Sequence, residues 1–130
     1  MNDNLKRKDL VYPDLCYQII GILFDVYNNL GYGRSEKVYQ RAVALGLKDS
    51  GLEFKEQFYM PLIYKNKQIG SNRFDFLIAD KMILEIKKGD RFVKSHIDQV
   101  YSYLVGSNLK LGILAYFAPR NIHFKRIVNL

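Results

Sequence analysis

Residues Arg73 to Lys88, RFDFLIADKMILEIKK, read as two apolar strands joined by a turn, yet Asp75, Glu85 and Lys87 occupy strand positions. Side chains alternate between the faces of a strand, so Glu85 and Lys87 project to one side and Lys88 to the other. The pairing register decides where Asp75 falls. With Ala79-Asp80-Lys81 as the turn, Ile78 opposes Met82, and counting outward sets Asp75 opposite Glu85. Opposed residues share a face with Cβ atoms about 4.5–5.5 Å apart. A turn one residue shorter would invert the aspartate, because a single step of slip exchanges the faces.

Two carboxylates that close repel, and one is driven to take up a proton unless a cation lies between them. Mg2+ accepts oxygen ligands, commonly one or two carboxylates, and completes its shell with water and phosphate oxygens. An ion held there makes water a better nucleophile and neutralises charge developing on a phosphoryl group. Lys87, on the same face, is placed to hold or deprotonate the attacking water, or to stabilise the pentavalent phosphate. The pattern suits hydrolysis of a phosphodiester with Mg2+ or Mn2+ as cofactor. The same three charges also fit the solvated face of an amphipathic strand, joined in a surface salt-bridge set.

The chain's 130 residues suffice for one domain with a real core, and we expect 1–130 to form it, with 1–12 as a flexible N-terminal segment. Hydrophobic residues make up 48% and charged residues 25%, which fits a soluble globular protein and not a disordered one. No apolar run approaches the roughly 18 residues of a membrane span, and the opening MNDNLKRKDL lacks a signal peptide's apolar stretch. The single cysteine, Cys16, excludes an internal disulfide and fits a reducing cytoplasm. Its plain role is a small buried hydrophobe. A net charge of +7 favours an anionic partner. Lys81, Lys87, Lys88, Arg91 and Lys94 crowd the segment that holds the odd acids, which directs the expectation to nucleic acid.

Pro13 fits the first turn of a helix, and DLCYQIIGILFDVYNNL follows with Leu15, Ile19, Ile22, Leu23, Val26 and Leu30 along one face. After the GYG turn a second helix is predicted from about Ser35 to Lys48, with Val38, Ala42, Val43 and Leu45 inward. FKEQFYMPLIYKNKQIG carries strand composition with KNK as its turn. Strands follow near Ile69 to Ile78 and Met82 to Lys88. A third helix, KSHIDQVYSYLVGS, points Ile97, Val100, Tyr101 and Leu104 inward. KLGILAYFA reads as a strand covered on both faces, and HFKRIVN as the last strand. The order α-α-β-β-β-α-β-β is that of an α/β domain with a mixed β-sheet flanked by helices.

Asp75 followed by Glu85-Ile86-Lys87 resembles the core motif of the PD-(D/E)xK nuclease superfamily, the restriction-endonuclease-like fold. Upstream, LGYGRSEKVY is similar to the signature of the GxxExxY protein family, through Gly33, Glu36 and Tyr39. The likeness runs from about Leu15 to Leu130. It implies that Asp75, Glu85 and Glu36 are metal ligands, with Ile86 in the same metal set, and that Lys87 is the catalytic lysine. Read alone, Glu36 is a carboxylate favoured in a helix's first turn by the macrodipole. Tyr39 shares its helix face and either orients it or packs. Gln99 and Tyr103, at i and i+4, resemble the Q-x-x-x-Y element of the RecB-like exonuclease branch, whose groups lie beside the metal and touch substrate. The bland reading is a polar residue and a half-buried tyrosine. His96 lines the same cleft as a phosphate or leaving-group contact, or is structural. Lys88, Arg91 and Lys94 then bind the nucleic-acid backbone, which positions it without reading sequence. Phe74 replaces the superfamily's proline.

These readings imply a nuclease acting on nucleic acid, DNA ahead of RNA, with a homodimer or a partner protein supplying specificity. Two other functions fit the fold: a non-catalytic nucleic-acid-binding module and an interaction subunit of a larger complex. The tyrosine count of 10 would suit an interface.

Overall fold

A computed structural model describes residues 11–130. Most of the segment expected to be flexible therefore lies outside the described residues. Its last two members are tied in: the Val11 carbonyl accepts from Arg126 Nη2 at 2.8 Å, and Lys81 Nζ lies over the Tyr12 ring.

Eight elements follow in the expected order: α1 (Pro13–Leu30), α2 (Glu36–Asp49), β1 (Phe54–Tyr64), β2 (Lys67–Ile78), β3 (Met82–Lys88), α3 (Lys94–Ser107), β4 (Leu111–Phe117) and β5 (Ile122–Val128). The strands make one sheet in sequence order. β3 and β4 run parallel and the other neighbours antiparallel. A parallel pair needs a crossover, and α3 supplies it. All of β4 is buried, as its unbroken apolar run requires. No helix among the described residues is long and apolar enough to cross a membrane.

Helices cover both faces. α1 and α2 pack on one, where Ile19, Leu23, Val26, Tyr39, Val43 and Leu47 meet alternate residues of β2, β3 and β4. α3 packs on the other through Val100, Tyr103 and Leu104. Cys16 is buried, as expected. Two inward stripes differ from expectation by one flank of the helix. On α2, Val38 is 37% and Leu45 64% exposed, while Tyr39 and Leu47 are buried, because the Tyr39 ring stacks on Phe117 at 4.1 Å. On α3, Tyr101 is 46% exposed and Tyr103 is buried against Phe74, with ring centroids 4.3 Å apart. Val100 and Leu104 are common to either stripe, so the tyrosine that the sheet reaches decides the rotation.

The β2–β3 turn positions the site. Ile78 pairs with Met82, Leu77 with Ile83 and Phe76 with Leu84, the register that the three-residue turn dictates. There the ladder stops. β3 stays with β4 as far as Lys88 and Phe117, while β2 departs with β1 as a two-stranded arm. The arm closes through Lys65 and Asn66, both at positive φ (48° and 65°), the geometry of a tight hairpin. Lys67 thus opens β2, two residues before the expected Ile69. Where β2 departs, its alternation breaks: Phe76 belongs to the α1–α2 core and Phe74 to the α3 core. Opposite Asp75, Gln57 sits at φ 48° and drops out of the pairing between Glu56 and Phe58. This local irregularity re-aims the side chains on either side of it.

Candidate active site

Beyond Leu84 the edge of β3 that faced β2 has no strand beside it. A strand residue sends its N–H and C=O to the same side, and neighbours alternate. Gly89 donates to the Phe117 carbonyl at 3.2 Å, on the β4 side, so Ile86 and Lys88 face the gap. Carboxylates meet both amides. Asp75 Oδ2 accepts from Ile86 N–H at 2.7 Å, and Glu36 Oε2 from Lys88 N–H at 3.0 Å. Asp75's own N–H donates to Glu85 Oε1 at 2.6 Å. Leaving such a buried amide unmade costs about 1–3 kcal/mol, so the three acids replace the missing ladder.

Local structure holds each acid in place. Glu36 opens α2 because Ser35 caps the helix, its Oγ accepting from Val38 N–H at 3.2 Å. Tyr39 closes the loop before it: its hydroxyl donates to the Gly31 carbonyl at 2.6 Å and accepts from Arg34 N–H at 3.2 Å. Gln40 Nε2 donates to Asp75 Oδ1 at 3.2 Å, and Gln57 Nε2 to Gln40 Oε1 at 3.3 Å. Glu85 is 5% exposed. Burial first, then the Asp75 charge, pushes its carboxyl up to about 8, against the pull of the Asp75 amide and Lys87. Burial likewise raises Asp75, opposed by the Ile86 amide and Lys87 and reinforced by Glu36. Three acids and the half-buried Lys87 thus share one electrostatic neighbourhood.

α3 supplies the other wall. Burial, then the charges of Glu85 and Asp75, lift the Tyr103 hydroxyl to about 12, while its hydrogen bond with Gln99 works the other way. Burial and the Lys87 charge lower His96, against Glu36, which leaves it neutral at pH 7. His96 Nδ1 bonds the Tyr116 hydroxyl, which also accepts from Val93 N–H at 3.2 Å.

The structure therefore gathers Glu36, Asp75, Glu85, Ile86, Lys87, His96, Gln99 and Tyr103. It does not gather the three rim cations. Lys88 turns to the other face, over the Tyr32 ring at 5.3 Å. Arg91 lies 3.8 Å from Asp90, and Lys94 2.8 Å from Asp98. Gln40, Gln57 and Tyr116 are neighbours that sequence reading missed. Gln40 lies one turn beyond Glu36, Gln57 opposite Asp75, and Tyr116 beside Lys87 in the β3–β4 register. Each becomes visible only once an element's partner is known.

Among the described residues, no three His, Cys, Asp or Glu side chains close on one point. Asp75 and Glu85 are the adjacent pair. Glu36 sits on the next gap-facing amide, about 7 Å farther along the strand. The donor set still suits a hard divalent ion. Two carboxylates and the Ile86 carbonyl, which leaves the strand toward the same gap, are oxygen ligands of the kind Mg2+ takes, with water completing the shell. The raised Asp75 and Glu85 carboxyls point the same way, since a cation relieves the repulsion that burial magnifies.

Among curated protein sequences, none matches the chain. Two solved structures are similar to it. One, described as the crystal structure of SSO0001, superposes with a TM-score of 0.58 at 15% identity, over 88% of this chain and 77% of that one. The other is an alkaline exonuclease (LHK-Exo) from Laribacter hongkongensis, with a TM-score of 0.53 at 12% identity, over 98% and 74%. Both likenesses concern the fold. The sequence profile of the PD-(D/E)XK nuclease superfamily matches residues 13–127, which takes in every acid of the opened edge and both walls around it. By that match, the chain belongs to the PD-(D/E)XK nuclease superfamily.

Proposed function

We propose that the protein is a Mg2+- or Mn2+-dependent nuclease that hydrolyses phosphodiester bonds of nucleic acid. The observation that carries this reading is the buried, mutually repelling pair Asp75 and Glu85 beside Lys87, on a chain of net charge +7. Asp75, Glu85 and the Ile86 carbonyl hold the ion, and Glu36 reaches it through water. When bound, the ion supplies acidity to water and counter-charge to the phosphoryl group. Lys87 orients the attacking water and balances charge on the phosphate. Tyr103, kept protonated, donates to a phosphate oxygen, and Gln99 fixes its hydroxyl. Neutral His96 contacts the leaving side, and Lys88, Arg91 and Lys94 hold the backbone along the rim.

Within the superfamily we place the chain in the GxxExxY family, through Gly33, Glu36 and Tyr39. The two hydrogen bonds of Tyr39 to the loop before Glu36 support a positioning role for that tyrosine. The test is incubation with labelled single- and double-stranded DNA and RNA, with Mg2+, with Mn2+ and with a chelator. Cleavage that needs the ion and disappears in Asp75→Asn and Lys87→Ala is the expected result. Cleavage unchanged in both variants would refute the mechanism.

One observation favours a second reading. Each acid already satisfies a backbone amide, and no three acids meet at a point. A binding module that kept the fold without the chemistry would bind nucleic acid in a salt-dependent way and cleave nothing with either ion.

A further inference from the structure

We propose that the outer side of the β1–β2 arm holds a single strand of nucleic acid and leads it into the gap beside Asp75. The inference rests on the nuclease reading for its direction and on the arm itself for its chemistry. Between Phe58 and Arg73 the two strands of the arm pair only with each other. The inner side leans on the α3 core through Phe58 and Met60. The outer side is open, with Tyr59 46% and Tyr64 58% exposed.

From Gln57 to Phe74 the sequence has three basic residues, Lys65, Lys67 and Arg73, and no acidic one. Both exposed rings carry one of these cations on a face: Arg73 over Tyr59 at 5.5 Å and Lys65 over Tyr64 at 5.3 Å. A ring to stack on a base beside a cation for its phosphate is the unit that binds single strands without sequence preference. Seven residues of β1 beyond the root, Phe58 to Tyr64, reach about 23 Å, room for several nucleotides.

The track continues into the site. Arg73 Nη1 donates to the Gln57 carbonyl at 3.3 Å. Gln57 borders a cavity of about 360 Å³ shared with Lys37, Gln40, Arg41, Glu56 and Asp75. Exposed Leu62, Ile63 and Ile69 would also suit a second copy of the chain. A symmetric contact, however, would set Lys65 and Lys67 against their own likeness with no acid between them. Charge therefore favours the anionic strand.

Fluorescence anisotropy of labelled single-stranded DNA and RNA, on the full chain without divalent cation, reads binding apart from cleavage and separates the two nucleic acids. Replacing Lys65 and Lys67 by Glu, or Tyr59 and Tyr64 by Ala, is expected to raise Kd about tenfold or more with an unchanged melting temperature. Wild-type affinity in both double variants overturns the proposal. So does a loss that merely follows dissociation of a dimer in light scattering. Cleavage assays keep the two readings distinct. A chain that cuts, with arm variants at an unchanged KM, overturns the arm alone, whereas a chain that binds through the arm and never cuts supports the arm and overturns the nuclease.

Discussion

Replacing Glu85 by Gln should stabilise the metal-free protein in alkaline solution while abolishing its response to Mg2+. Gln keeps an oxygen for the Asp75 amide and removes a charge that burial and Asp75 both oppose. The carboxyl moves from 4.5 to about 8 on folding, so the folded state holds a proton that the unfolded chain has released. The wild type therefore has its full stability from this group below pH 4.5 and loses it progressively as pH rises to about 8. At about 1.4 kcal/mol for each pH unit, the loss is bounded at about 5 kcal/mol. Asp75 and Glu85 titrate as a pair, so roughly half, about 2–3 kcal/mol, is expected for the single substitution. Urea unfolding from pH 5 to pH 9 with a chelator present measures it. The advantage of Glu85→Gln should grow from near zero at the acid end and level off above pH 8. Repeating the series with Mg2+ should stabilise the wild type increasingly toward pH 8 and leave the variant unmoved. A difference between variant and wild type that stays flat across the range would refute the claim that Glu85 is held protonated.

Asp75→Ala should cost about 1–3 kcal/mol in urea unfolding, because the Ile86 amide loses its acceptor, whereas Asp75→Asn should fold with near wild-type stability and still fail to cleave. Tyr39→Phe keeps the stack on Phe117 but strands the Arg34 amide, and should cost about 1–2 kcal/mol by the same measurement. Tyr103→Phe should lower kcat about 10- to 100-fold with little change in melting temperature, the signature of a lost donor to the phosphate. Gly112→Ala brings a Cβ to 2.7 Å from Val100 Cγ1, beneath α3, and should cost about 1–3 kcal/mol in the melting curve.

Local chemistry made part of this architecture legible. Three residues between Ile78 and Met82 are enough to set the β2–β3 register, and alternation then brings Asp75 and Glu85 together. The end of that ladder left no mark in the sequence, because Phe74, Asp75 and Phe76 alternate as a continuing strand would. What ends it is tertiary: Gln57 at positive φ on β1, and rings of Phe74 and Phe76 claimed by opposite cores. The helix stripes were ambiguous for a related reason. Val100 and Leu104 suit a sheet lying on either flank, and only Phe74 selects Tyr103 over Tyr101. Gln40, Gln57 and Tyr116 were hidden because each acts across a contact between elements distant in the chain.

Charges in these strands answer a demand that the backbone itself creates. When β2 peels away, one amide of β2 and two of β3 lose the carbonyls that a ladder would supply, in a place too enclosed for water to serve all of them. A carboxylate is the side chain that accepts such bonds most strongly, and Glu85, Asp75 and Glu36 take one each. Satisfying the backbone this way concentrates negative charge where the sheet is open, which is the condition that makes a divalent ion welcome. The same departure frees the arm, with its unopposed cations, to stand beside that opening. One break in one ladder thus produces an acidic centre and a basic approach to it, and a chain that closed the ladder with apolar residues would lose both together.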